Sequence, residues 1–222
     1  LEHNVPLAHS GVGLPQWGIE HHQHHEAGKA LYKLLPKEKI ADLRIRYETD
    51  IYRRAAQVKA RGAVLEYALD VGVIKALHSD GSELKVDVSE LEIELLSGDK
   101  NLVLAHAKNI VKKYKAYIDT RSKAQRGFNL ATGIQVSPPL KTKALKLTAF
   151  DDATIISTVL HSCINQALIN ASEINANLAN FDEHLHQLRV GLRRLKTAMK
   201  FMALRHIFFA EIDLNTLDNF FA

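Results

Sequence analysis

One cysteine, Cys163, and one tryptophan are all that this chain of 222 residues contains of either type. A lone cysteine closes no internal disulfide, so nothing points to an oxidising compartment, and a cytoplasmic location is the expectation. No run approaches the roughly 18 to 20 uninterrupted apolar residues of a membrane span, and no apolar block opens the chain as a signal peptide would. A membrane partner is therefore not expected. No Gly-rich phosphate-cradling motif occurs, which leaves nucleotide folds of the P-loop kind unsupported. Internal repeats are absent as well. What remains is a balanced composition, 46% hydrophobic and 24% charged, of the kind that folded globular chains have. A net charge of +4 favours anionic partners (nucleic acid, nucleotide or polyphosphate) without choosing among them.

Residues 50–96 alternate in the period-2 manner of half-buried strands. In Ile51–Lys59 one face collects Arg53 and Lys59. After the turn signal Arg61-Gly62, the segment Val64–Asp70 puts Glu66 and Asp70 on one face and Leu65, Tyr67 and Leu69 on the other. Val71-Gly72 reads as a further turn into Val73-Ile74-Lys75. The clearest strand is Val88–Leu96, and Ser97-Gly98-Asp99 ends it and offers a cap for a helix through about Tyr114. Around Val136-Ser137-Pro138-Pro139 the pattern breaks, which divides the chain into residues 1–139 and 140–222. The whole reads as α+β, an antiparallel sheet followed by helices.

Glu90, Glu92 and Glu94 stand two apart, so a strand turns all three to one side at spacings of about 6.5 to 7 Å. Two readings are open. The three acids form a solvated face, as alternating charge on antiparallel sheets often does. Or they line a cavity, where crowded carboxylates require a counter-cation and a hard divalent ion with oxygen ligands fits. Glu66 and Asp70 add acids, and Arg53 and Lys59 add bases. Such a set suits a metal-bridged polyanion, because phosphoryl transfer consists largely of positioning and charge neutralisation.

Beyond residue 140 the period becomes helical. Asp151-Asp152 can cap a helix with Ile156, Val159, Cys163, Ala167, Ala171, Ile174 and Leu178 on its apolar side. Cys163 on that seam reads as a small core residue. A second helix, from about Asp182 to His206, has Leu185, Leu188, Leu192, Leu195, Met199 and Met202 at alternating spacings of three and four. Beside that seam His186, Arg189, Arg193, Lys196 and Lys200 form a basic stripe. It reads either as a solvated helix face or as a surface for a repeating polyanion. It has no interleaved aromatic residues for base stacking, so nucleic acid is not the expected partner. The run His21–His25 reads as a flexible polar loop.

The stretch Thr49–Arg53, then Glu66–Lys75, then Glu90–Gly98 resembles the CYTH superfamily of triphosphate tunnel enzymes, and Ser122–Phe128 is similar to that family's closing basic motif. Downstream, His186–Lys196 looks like the opening signature of the CHAD domain. The resemblance implies an antiparallel β tunnel, with Mg²⁺ or Mn²⁺ as cofactor, that hydrolyses inorganic triphosphate. By position Arg53, Lys75, Lys123 and Arg126, with Lys59, resemble residues that hold phosphate. Glu2, Glu66, Asp70, Glu90, Glu92 and Glu94 resemble the metal-binding acids, with Glu92, Glu94 and Arg53 central to catalysis. For the CHAD-like part the implied ligand is polyphosphate, on His186, Arg189, Arg193, Arg194, Lys196 and Lys200. The family's Glu-x-Glu-x-Lys strand has no counterpart here, so the expectation is a tunnel without its N-terminal strands, followed by the first helices of a CHAD bundle. The alternative is a module that binds polyphosphate without turning it over. A nucleotide cyclase or a thiamine triphosphatase, from the same superfamily, is disfavoured by the CHAD partner.

Overall fold

A computed structural model describes residues 19–35, 39, 44–77, 81–148, 151–176 and 181–204. The chain divides into two compact units, Leu1–Ile45 and Arg46–Ala222. In the first, a 3-10 turn (Ile19–His22) leads into helix α1 (Glu26–Leu34). The His-rich run, expected as a polar loop, instead forms this turn and the helix cap, where the His25 ring accepts from the backbone N–H of Ala27.

The second unit opens with strands β1 (Tyr47–Ala60), β2 (Ala63–Leu77) and β3 (Glu83–Ser97), an antiparallel sheet in that order. Arg61 and Gly62, at φ 47° and 82°, make the two-residue turn between β1 and β2, whose positive φ values match the twist of the flanking strands. The turn expected at Val71-Gly72 does not exist; β2 runs straight through it. Gly72 serves a different need, since a Cβ there would lie 2.0 Å from the Asp50 carbonyl oxygen of β1. The glycine allows close backbone approach, not a change of direction.

Pairing in register sorts the side chains onto two faces. One face carries Arg53 opposite Asp70 opposite Glu90, and one step along it Ala55, Ala68 and Glu92. Ala68, Asp70, Ile74, Ala76 and Val88 are buried on it. The other face carries Leu65, Tyr67, Leu69 and Val71, and there the Tyr67 hydroxyl bonds the His106 imidazole of helix α2 (Asn101–Tyr114). Helix α3 (Lys123–Ala131) packs against all three strands, with Gly127 so close to the Tyr47 ring that a Cβ would come within 2.2 Å of it. The strand periodicity gave no sign of α3, although Ser122-Lys123-Ala124-Gln125 has the spacing of a helix start. Ser122 indeed accepts from the N–H of Gln125 at 3.1 Å.

Helices α4 (Asp152–Ala176) and α5 (Asp182–Leu204) pair as a hairpin. Cys163, Leu195 and Met199 form its apolar core. Toward the other end the seam is polar: Gln166, Asn170, His184 and Gln187 are buried. The expected seam through Leu185, Leu188 and Leu192 is therefore rotated, and those three are only half-buried. The cause lies in the neighbouring extended chain, whose backbone needs partners. Asn170 donates to the Leu140 carbonyl at 3.0 Å and accepts from the Leu140 N–H at 3.2 Å. Gln166 accepts from Thr142 and donates to Gln187, both at 2.9 Å, and Ser172 accepts from the Thr120 N–H at 3.0 Å. Most buried polar groups in folded proteins are bonded in this way. Among the described residues no helix is long and apolar enough to cross a membrane.

Asn170→Ala should leave both Leu140 groups without their protein partner and cost about 1–3 kcal/mol; urea unfolding midpoints would measure it. A loss below roughly 0.5 kcal/mol would show that water replaces the amide at no cost.

Candidate functional site

Each strand and one helix contribute charge to a single cluster on the α3 side of the sheet. Arg53 comes from β1, Asp70 from β2, Glu90 and Glu92 from β3, and Lys123 and Arg126 from α3. The strand register sets the first four side by side. The Ser122 cap fixes where α3 begins, and Lys123 and Arg126, three residues apart, fall on one side of its first turn.

Asp70 is the buried centre, its side chain only 1% exposed. Arg53 grips it with a fork, Nε to Oδ1 and Nη2 to Oδ2, both 2.7 Å. The same Nη2 reaches Glu92 Oε2 at 2.8 Å. Lys123 Nζ lies 2.8 Å from Asp70 Oδ2 and 2.8 Å from Glu92 Oε1, and it also contacts Glu90. Arg126 Nη2 pairs with the second oxygen of Glu90, and its buried Nε has no hydrogen-bond partner among the described residues. Three carboxylates thus face three cations, and the cluster as a whole is neutral.

The electrostatics follow. The Arg53 hydrogen bonds, helped by Lys123 and opposed by burial, hold the Asp70 carboxyl down at about 2. Its bond to Asp70 and the charge of Glu92 push the Arg53 guanidinium well above its ordinary value against the effect of burial. Burial works against the charge on Lys123 too, but hydrogen bonds to Asp70, Glu90 and Glu92 outweigh it and raise the ammonium. All three groups stay ionised at neutral pH.

Asp70, Glu90 and Glu92 each offer one oxygen within 4.8 Å of the others, so the same acids could hold a metal ion. Oxygen-only, carboxylate-rich donor sets suit hard divalent cations.

Six of the residues singled out from the sequence meet here: Arg53, Asp70, Glu90, Glu92, Lys123 and Arg126. Glu94 lies on the same face but opposite Glu66, one step beyond the cluster, where Gln57 donates to Glu66 at 3.3 Å. Lys59 shares that face near the β1–β2 turn. Lys75 does not join them. It stands on the reverse face, paired with Asp50 at 2.8 Å. Glu2 lies outside the described residues.

On α5 the basic stripe is present in part, with His186, Arg189 and Arg193 lining a small cleft around Val190. Lys200 is exposed farther along the helix. Arg194 is turned the other way, donating to Gln166 at 2.6 Å and Ser162 at 3.2 Å, so it braces α4. Residues that the pattern did not flag include Asp119 and Arg121, a part-buried fork at 2.8 and 3.0 Å ahead of α3. Their Asp-x-Arg spacing was the available signal. No protein-family model matches the chain.

Because the Asp70 carboxyl is depressed from 3.8 to about 2, its contribution is complete above about pH 4 and fades as pH falls toward 2. In chelator-containing buffer this one group should remove about 2 kcal/mol of stability over that interval. Asp70→Asn, already weaker at neutral pH, should show a correspondingly flatter acid limb in urea titrations. Parallel limbs for the two proteins would contradict the assignment.

Proposed function

We propose that the chain takes part in metal-dependent hydrolysis of inorganic triphosphate, as the later strands of a CYTH-type tunnel joined to the first helices of a CHAD-type region that binds polyphosphate. The observation that carries this reading is the six-residue cluster, in which three converging carboxylates lie within bonding reach of Arg53, Lys123 and Arg126. Acids alone would suggest a cation and bases alone an anion. Interleaved on one surface, they suit a polyanion that brings its own counter-cation.

On this reading Asp70, Glu90 and Glu92 would hold Mg²⁺ or Mn²⁺, and the ion would neutralise charge on the phosphate oxygens. The remaining work falls to side chains. Arg53 has a guanidinium fixed by Asp70 and half-exposed, so one edge can receive a phosphate oxygen without first being ordered. Arg126, held at Nη2 by Glu90, adds a second guanidinium from α3. Glu92, 49% exposed, is the carboxylate of the three with the most access to a water molecule. Glu94 and Lys59, on the same face, would extend the polar surface along a longer phosphate chain. The exposed α5 cleft of His186, Arg189 and Arg193 matches the spaced charges of polyphosphate.

A second reading is favoured by the neutrality of the cluster: closed ion pairs of this kind also occur as structural braces. The chain would then dock polyphosphate on α5 without turnover.

Phosphate release from tripolyphosphate with Mg²⁺ or Mn²⁺ separates the two. Release should be measurable, and Glu92→Gln or Arg53→Ala should lower it by roughly 10²-fold. Wild-type rates in both variants would sink the site assignment. No release from the unaltered chain, with polyphosphate still retained on a filter, would favour the docking module. Reversing charge at Arg189 and Arg193 should abolish that retention at moderate salt and leave tripolyphosphate turnover within about two-fold.

A further inference from the structure

Lys123 differs from the other two cations of the cluster in what it touches. Arg53 reaches Asp70 and Glu92, and Arg126 reaches Glu90, but the Lys123 ammonium contacts all three carboxylates. Those three are the same acids whose oxygens converge within 4.8 Å. The ammonium therefore already sits among the groups that would bind a metal ion. Local helix energetics do not explain a lysine at this position. It is the first residue of α3, where the helix dipole disfavours positive charge. The acids of the sheet beneath supply the compensation.

Mobility distinguishes it too. Arg53, although the more exposed of the two, is locked by a bidentate fork on a buried partner, whereas Lys123 ends in a single ammonium on a flexible four-carbon stem. It can leave by rotating its own side chain, without moving a strand.

We infer that Lys123 is a tethered stand-in for the divalent ion: its ammonium occupies the Asp70–Glu90–Glu92 triad in the metal-free protein, and an arriving ion displaces it. The inference rests on the triad being the metal site of the reading above. Its consequence is a coupling between the two ligands. With Lys123 in place the cluster is neutral and attracts neither ion strongly. Once a divalent cation replaces it, the region carries an excess of positive charge, and a freed ammonium stands beside Arg53 and Arg126. Cation and polyanion then favour each other's binding, a coupling that runs equally in both directions.

Two measurements test this with Mn²⁺ alone and no phosphate. Labelling of Lys123 in the unaltered chain by an amine-reactive reagent, read by peptide mass spectrometry, should be slow in chelator and roughly ten-fold faster at saturating Mn²⁺. Lys123→Met should bind Mn²⁺ roughly ten-fold more tightly than the unaltered chain by titration calorimetry, since the competing cation is gone. Mn²⁺ binding with no change in Lys123 labelling would overturn the displacement and leave the metal site standing. Mn²⁺ binding to neither protein would overturn both. Should the substitution prevent folding, labelling of the unaltered chain decides alone.

Discussion

Asp70 lies on the central strand, and the charged face of the sheet is organised around its carboxylate. A charge removed from water this completely is tolerated only when it is paired and hydrogen-bonded, and here Arg53 from one side bonds both oxygens while Lys123 from above adds a second contact to Oδ2. That requirement reaches outward. It sets where Arg53 must stand on β1, how closely α3 must approach, and, through the shared contacts of Lys123 and Arg53, where Glu90 and Glu92 point. An edge-strand carboxylate would have solved its solvation with water and organised nothing. On the middle strand, beneath a helix, it organises four elements.

The helical hairpin meets a comparable demand with neutral groups. Extended chain lies along α4, and its carbonyls and N–H groups need partners within a partly dry interface. Asn170 acts toward Leu140 as a neighbouring strand would, giving one bond and taking one. Gln166 links Thr142, Gln187 and Arg194 through its two ends. The apolar core around Cys163, Leu195 and Met199 is small as a result, and the hairpin depends on this amide network as much as on it.

How much of this could be read from the letters alone varies by element, for physical reasons. Strand β3 announces itself, because Glu90, Glu92 and Glu94 alternate with Leu91, Ile93 and Leu95 and period 2 is a local property. That Arg53 would face Asp70 is also legible face by face, but their adjacency depends on pairing between strands, which no single strand encodes. Lys75 shows the difficulty. The family resemblance groups it with the phosphate-holding bases, but β2 continues through Gly72, and its period of two turns Lys75 to the face opposite Asp70. The helical seam is legible in part: Leu195, Met199 and Met202 are buried as their spacing implies, but hydrophobic spacing assumes an apolar interior throughout. Leu185 and Leu188 fit that assumption, whereas the buried positions there hold His184 and Gln187, which bond the side-chain amides of Asn170 and Gln166 on α4. Helix α3 shows no period in the sequence because its nine residues hold too few apolar positions, leaving only the Ser122 cap as a sign.

The two-residue connection at Arg61 and Gly62 acts as a gauge for everything beyond it. Counted back from Ala60 against Ala63, it brings Arg53 level with Asp70 seven pairs later. One extra residue in that bend would exchange inner for outer along β1, setting Tyr52 or Arg54 beside the buried acid and turning Arg53 to the reverse side of the ribbon. The charge pairing of the face is thus held in calibration by a corner that lies outside the cluster, and an insertion there would disrupt it more thoroughly than the loss of any one charge.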